Sequence, residues 1–166
     1  MSVSEIVNVL NRIIECHQEL RELGTRKREA ILQNSIEELS AIVQKESKAV
    51  KEIQELDQRR VVKINEYMVT RCYKTNPFIT VGELVKLVFK AEEKQQLMDC
   101  QERLLKEIRE LKELNALNQQ LVEQSLGFID LSLDLLTATP EQDAIYANPT
   151  QQGQAKRKNA YFDTRA

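Results

Sequence analysis

His17 stands beside Cys16, and an imidazole next to a thiol is the pairing from which a thiolate nucleophile or a metal site can be built. Adjacent helix positions point roughly 100° apart, and no third ligand lies at metal spacing, so His17 reads as a structural side chain on a helix seam. The remaining cysteines, Cys72 and Cys100, are widely spaced, and all three read as reduced and mostly buried. No Ser, Cys or Lys has a general base in sight, no glycine-rich loop follows a strand, and the carboxylates are mixed with basic residues. The expectation is therefore no enzyme and no cofactor. The polar residues with most to say are two amides, Asn115 and Asn118, which fall on an apolar stripe. A buried amide costs stability unless paired, so it fixes either register within a bundle or the choice of partner. Both readings stay open.

The elements that must position these side chains are helices. Four glycines and three prolines in 166 residues leave few sharp turns, and aromatic residues are too scarce to fill a wide core, whereas narrow helix seams need less. The 24 basic and 26 acidic residues are interspersed, which disfavours nucleic acid and anionic membranes as partners. No apolar run approaches the roughly 20 residues that cross a bilayer, and no secretory layout opens the chain, so membrane insertion is not expected and the cytoplasm is.

Ile6, Leu10, Ile13, His17, Leu20, Gly24, Lys27 and Ile31 step by four and three, a heptad seam weakened in its second half. As a helix, residues 2–33 would run roughly 48 Å at 1.5 Å per residue. Asn34 interrupts the pattern, and Ser35 with Glu38 has the spacing of a capping box for a second helix. That helix carries Ile36, Leu39, Val43, Val50, Ile53, Ile64 and Met68 and stops near Pro77. Thr80 with Glu83 caps a short apolar helix through Val88, and the charged stretch 90–94 bends or extends it. The strongest period runs Leu97, Gln101, Leu104, Ile108, Leu111, Asn115, Asn118, Val122, Ser125, Ile129, Ser132, Leu136. Beside it Leu105, Leu114, Leu117, Leu121, Phe128, Leu131 and Leu135 widen the apolar face beyond one seam's needs. After Pro140 the apolar period is lost, although Tyr146, Tyr161 and Phe162 remain as docking candidates. The expected fold is all-α: an elongated antiparallel long-helix bundle or coiled-coil hairpin, with a short linking helix and a disordered tail. The expected domains are 1–136, helical, and 137–166, a flexible C-terminal tail.

Leu114, Asn115, Asn118 and Leu121 spell L-N-x-x-N-x-x-L on the last long helix, after a short helix at 79–88 and before an F-D-x-R-A ending at Phe162, Asp163, Arg165 and Ala166. In this order they resemble the FlgN family of flagellar export chaperones. The resemblance implies a chaperone that binds the C-terminal helical regions of the hook-filament junction proteins FlgK and FlgL and carries them to the export gate protein FlhA. Carried over to this chain, the cargo-binding residues are Asn115, Leu117, Asn118, Leu121, Phe128, Leu131, Leu135 and Phe162, and Tyr146 docks at the gate. A structural coiled-coil scaffold or stalk of the export machinery is the alternative.

Overall fold

The computed structural model describes residues 3–137. These hold four helices and no strand: α1 Val3–Leu32, α2 Ile36–Thr70, α3 Val81–Leu87 and α4 Ala91–Thr137. The chain divides into two units, Met1–Phe128 and Ile129–Ala166. Within the second, the described residues are the last turns of α4.

In the first unit, α1 and α2 form an antiparallel hairpin. Its reversal is a Schellman turn: Asn34 takes the left-handed conformation at φ 53°, the Ser35 N–H donates to the Ala30 carbonyl at 2.9 Å, and the Asn34 N–H donates to that of Ile31 at 3.1 Å. Asparagine tolerates this conformation better than most residues, which places the break at Asn34. The expected Ser35–Glu38 capping box does not form. Ser35 is the N-cap but its hydroxyl makes no cap bond, and the Glu38 carboxylate reaches across the turn to Arg26 on α1, 3.4 Å away, instead of back to the Ser35 N–H.

The α2 seam is also rotated from the sequence reading. Ile42 and Ala49 are buried, while Ile36, Val43 and Val50 are exposed. A small residue at 49 and a one-residue change of register put the α1-facing stripe along Leu39, Ile42, Glu46, Ala49 and Ile53. Glu46 reaches Lys27 of α1 at 2.7 Å, so two charges on the stripe satisfy each other.

Helix α2 ends earlier than Pro77 demands. A second Schellman turn closes it at Cys72, φ 61°, with the Tyr73 N–H donating to the Met68 carbonyl at 2.9 Å. The following stretch is held by Asn65, whose amide donates to the Asn76 carbonyl at 3.1 Å and accepts from the Asn76 N–H at 2.8 Å. Arg60 adds a bond to the Ile79 carbonyl. The Thr80–Glu83 capping box forms as expected, and α3 stops at Leu87, where Val88 turns extended (φ −86°, ψ 125°) before α4 begins at Ala91.

The main core gathers the start of α1 (Val3, Ile6, Leu10, Ile14), the end of α2 (Ile64, Tyr67, Met68), α3 with its flanks (Ile79, Leu84, Val85, Val88) and the start of α4 (Leu97, Cys100). A smaller cluster near the hairpin turn, Leu23, Ala30 and Ile42 with Leu39, belongs to α1 and α2 alone. Helix α4 therefore shares the larger core only at its beginning.

Candidate functional site

The long helix α4 carries every expected binding residue that the structure describes, so the way it sits on α1 decides what those residues can do. Bonded pairs between the two helices all fall within a narrow range of separations along the chain, 86 to 94 residues. Asn11 meets Cys100, Gln18 meets Glu107 and Arg21 meets Glu110, each 89 residues apart. A nearly constant positive offset means that α4 runs parallel to α1 in register, with α2 returning between them in sequence. Two helices of equal rise stay in step, so Leu32, the last residue of α1, stands level with Leu121.

The buried line of α4 is Leu97, Cys100, Leu104, Glu107, Leu111, Leu114, Asn118 and Leu121, of which Leu104, Leu111, Leu114 and Leu121 are half-buried. It shares Leu97, Leu104, Leu111 and Asn118 with the seam read from the sequence. In place of Ile108 and Asn115, which are exposed, it turns in Glu107 and Leu114. Polar bonding to α1 causes the rotation. Glu107, 8% exposed, accepts from the Gln18 amide at 3.2 Å and pairs with the Arg21 guanidinium at 3.2 Å, while Arg21 also grips Glu110.

At Gly24 α4 rests directly against the α1 backbone. A Cβ built there would lie 2.8 Å from the Leu114 Cδ2, and the Asn118 amide donates to the Gly24 carbonyl at 2.8 Å. Side chains lean toward the helix N-terminus, which lets Asn118 reach back one turn to Gly24. Asn118 is 3% exposed and its Oδ1 has no hydrogen-bond partner among the described residues. Both amides line an open groove of about 390 Å³ together with Leu20, Val50, Leu111 and Val122, but only Asn118 is buried and bonded to α1, whereas Asn115 is exposed.

Leu117 is exposed on the flank of α4. The stripe that contains Leu114 and Leu121 continues to Phe128, which is 70% exposed, because α1 has ended by that level. In the second unit, Leu131 and Leu135 are exposed, as are Ile129, Leu133 and Leu136. Tyr146 and Phe162 lie outside the described residues.

The reactive groups are quiet. The His17 Nδ1–H donates to the Ile13 carbonyl at 2.8 Å, a structural use of the ring. Burial raises the Cys16 and Cys100 thiols above their ordinary pKa, away from thiolate chemistry. Cys72 departs from the sequence reading and is exposed at the end of α2, where the left-handed turn points it outward. Among the described residues no group of three or more His, Cys, Asp or Glu could hold a metal ion, and no helix is long and apolar enough to cross a membrane.

The FlgN protein family matches residues 1–154, which takes in all four helices. The chain belongs to the FlgN family. It is also similar to the uncharacterized protein YvyG of Bacillus subtilis strain 168, 29% identical over 136 residues that cover 82% of this chain and 81% of that protein. No solved structure matches. For this FlgN family member the L-N-x-x-N-x-x-L residues divide by burial: Leu114, Asn118 and Leu121 are at least half-buried, Asn115 is exposed, and the two amides line one groove. What the sequence did not disclose is the pair Gly24 and Glu107. Gly24 read as a weak seam position, and its use as a direct backbone contact depends on a helix that lies 90 residues farther along the chain.

Proposed function

We propose that this chain is a non-enzymatic, cytoplasmic export chaperone of flagellar assembly, which binds the C-terminal helical regions of FlgK and FlgL and brings them to FlhA. The observation that carries the reading is the apolar stripe of α4, half-buried at Leu121 and continued beyond it by the exposed side chains of Leu131 and Leu135, in a chain that belongs to the FlgN family. An amphipathic cargo helix needs an apolar strip of this kind, set beside a polar rim that limits its affinity.

Leu117, Leu121 and Phe128 supply apolar contacts from the first unit, and Leu131 and Leu135 supply them from the second. Asn115 contributes a hydrogen-bonding amide, and Asn118 acts from within by holding α4 in place. Residues 1–136 form the chaperone domain in this reading. Residues 137–166 form a tail in which Phe162 adds to cargo binding and Tyr146 docks at the gate.

Pull-down with purified FlgK and FlgL tests the proposal. Leu131→Asp with Leu135→Asp, both at exposed positions, should leave helicity unchanged and weaken capture at least tenfold. Full-strength capture by that variant would overturn the assignment of α4 as the cargo surface. Stable self-association with no capture at all would favour the scaffold reading.

A further inference from the structure

The surface around α3 is not used by the function proposed above, and it holds the two most exposed aromatic side chains among the described residues. Phe78 is 86% exposed and Phe89 is 77% exposed. Each owes its position to a buried neighbour. Ile79 and Val88 are anchored in the main core, and in the extended backbone at Val88 successive side chains point to opposite sides, so Phe89 must face water. The two rings flank α3, whose seven residues rise only about 10 Å, Phe78 standing just before the helix and Phe89 just after it.

The charge around them is unlike that of the whole chain. Residues 69–90 carry Arg71, Lys74, Lys86 and Lys90, all exposed, against the single carboxylate Glu83, a net of +3 in a chain whose formal net charge is −2. Glu83 is spent on the Thr80 cap, and Lys63 holds both Glu5 and Glu66 of the neighbouring helices. Of the next two acids, Glu92 and Glu93 in the first turn of α4, Glu93 pairs with Lys90. Arg71 lies over the Tyr67 ring at 5.3 Å, which fixes its guanidinium at the edge of the patch. Lys74 makes no salt bridge among the described residues, and Lys86 makes none within 4 Å, although its charge acts on Glu83 one turn away. Val69, also exposed, extends the apolar part.

We infer that Phe78, Phe89 and the basic side chains Arg71, Lys74 and Lys86 form a docking surface for an acidic protein segment with apolar residues between its carboxylates. Two rings left in water among exposed cations that outnumber the nearby carboxylate fit a partner that supplies both an apolar contact and negative charge. A rigid support favours this use, since α3 is fixed by a full capping box and by four buried side chains at its base.

The test uses the full chain, labelled with nitrogen-15, and three synthetic peptides that share one Leu and Phe pattern but carry Glu, Gln or Lys at the polar positions. Vesicles of phosphatidylcholine with phosphatidylglycerol form a fourth arm. The Glu peptide should shift amide resonances of residues 69–90, with at least tenfold weaker binding for Phe78→Ser with Phe89→Ser at unchanged helicity. Lys74→Glu with Lys86→Glu should transfer the preference to the Lys peptide. Equal binding of the Gln peptide, shifts confined to α4, no shifts at all, or binding to the vesicles in preference to the Glu peptide would each overturn the inference.

Discussion

Cys72 shows how one side chain can work against its backbone. It closes the α2 Schellman turn at φ 61°, a conformation that costs a residue with a Cβ roughly 1 kcal/mol, and its exposed thiol recovers nothing by packing. Cys72→Gly should raise stability by about 0.5–1 kcal/mol, the strain relief being partly offset by the freer unfolded chain, as read by chemical denaturation. Asn118 is the opposite case, a buried amide with one bond made and one acceptor unmet. Replacing it with leucine removes the desolvated oxygen but also the bond to the Gly24 carbonyl, and it adds bulk at a tight contact, so these opposing effects should leave Asn118→Leu within about 1 kcal/mol of the parent in thermal unfolding. The expected cost is positional: crosslinking between cysteines placed at Gln18 and Glu107 should become less selective for that register. His17 was legible in the sequence as a structural ring, whereas the exposed Cys72 was not. Its position depends on where a turn ends α2, and that turn is stabilised by Tyr73 packing against the core.

Among the elements, α3 and the distal part of α4 respond to different variables. Glu83 is held below its ordinary carboxylate pKa of 4.5, first by the Thr80 backbone N–H and then by the Thr80 hydroxyl. A depressed folded-state pKa means that the cap contributes fully above pH 4.5 and that this contribution is lost as pH falls through the lowered value. The Glu83 carboxylate should therefore titrate below 4.5 by nuclear magnetic resonance, with α3 amides losing protection in the same range. Helix α4 beyond Leu104 is held to α1 by Glu107, Glu110 and Asn118 and by half-buried leucines, and it adds no residue to the cluster at the hairpin turn. Gly24→Leu should displace it, because even a Cβ there lies within 2.8 Å of Leu114. Hydrogen exchange should then quicken across 107–121 in α4 while Ile42 and Ala49 of α2 keep their protection.

For the molecule as a whole, deletion of residues 138–166 tests the proposed division between domain and tail. Helicity and thermal midpoint should remain nearly unchanged while capture of FlgK and FlgL weakens, and Tyr146→Ala in the full chain should retain capture and lower recruitment to FlhA. Unfolding of the truncated chain would place the domain boundary elsewhere. By itself the sequence determined the helices, the break at Asn34, the Thr80 cap and the family, since each rests on neighbours within a few turns or on a motif carried by the chain itself. Only the tertiary structure decided which side of each helix is inside. A rotation of one residue exchanges Ile108 for Glu107 and Val43 for Ile42 at almost no local cost, so the choice falls to partners on other helices: Arg21 and Gln18 for Glu107, Gly24 for Asn118, and Leu23 and Ala30 for Ile42. Hydrophobic periods specify a stripe about 100° wide, whereas the bonds that select a line within it join residues nearly 90 positions apart.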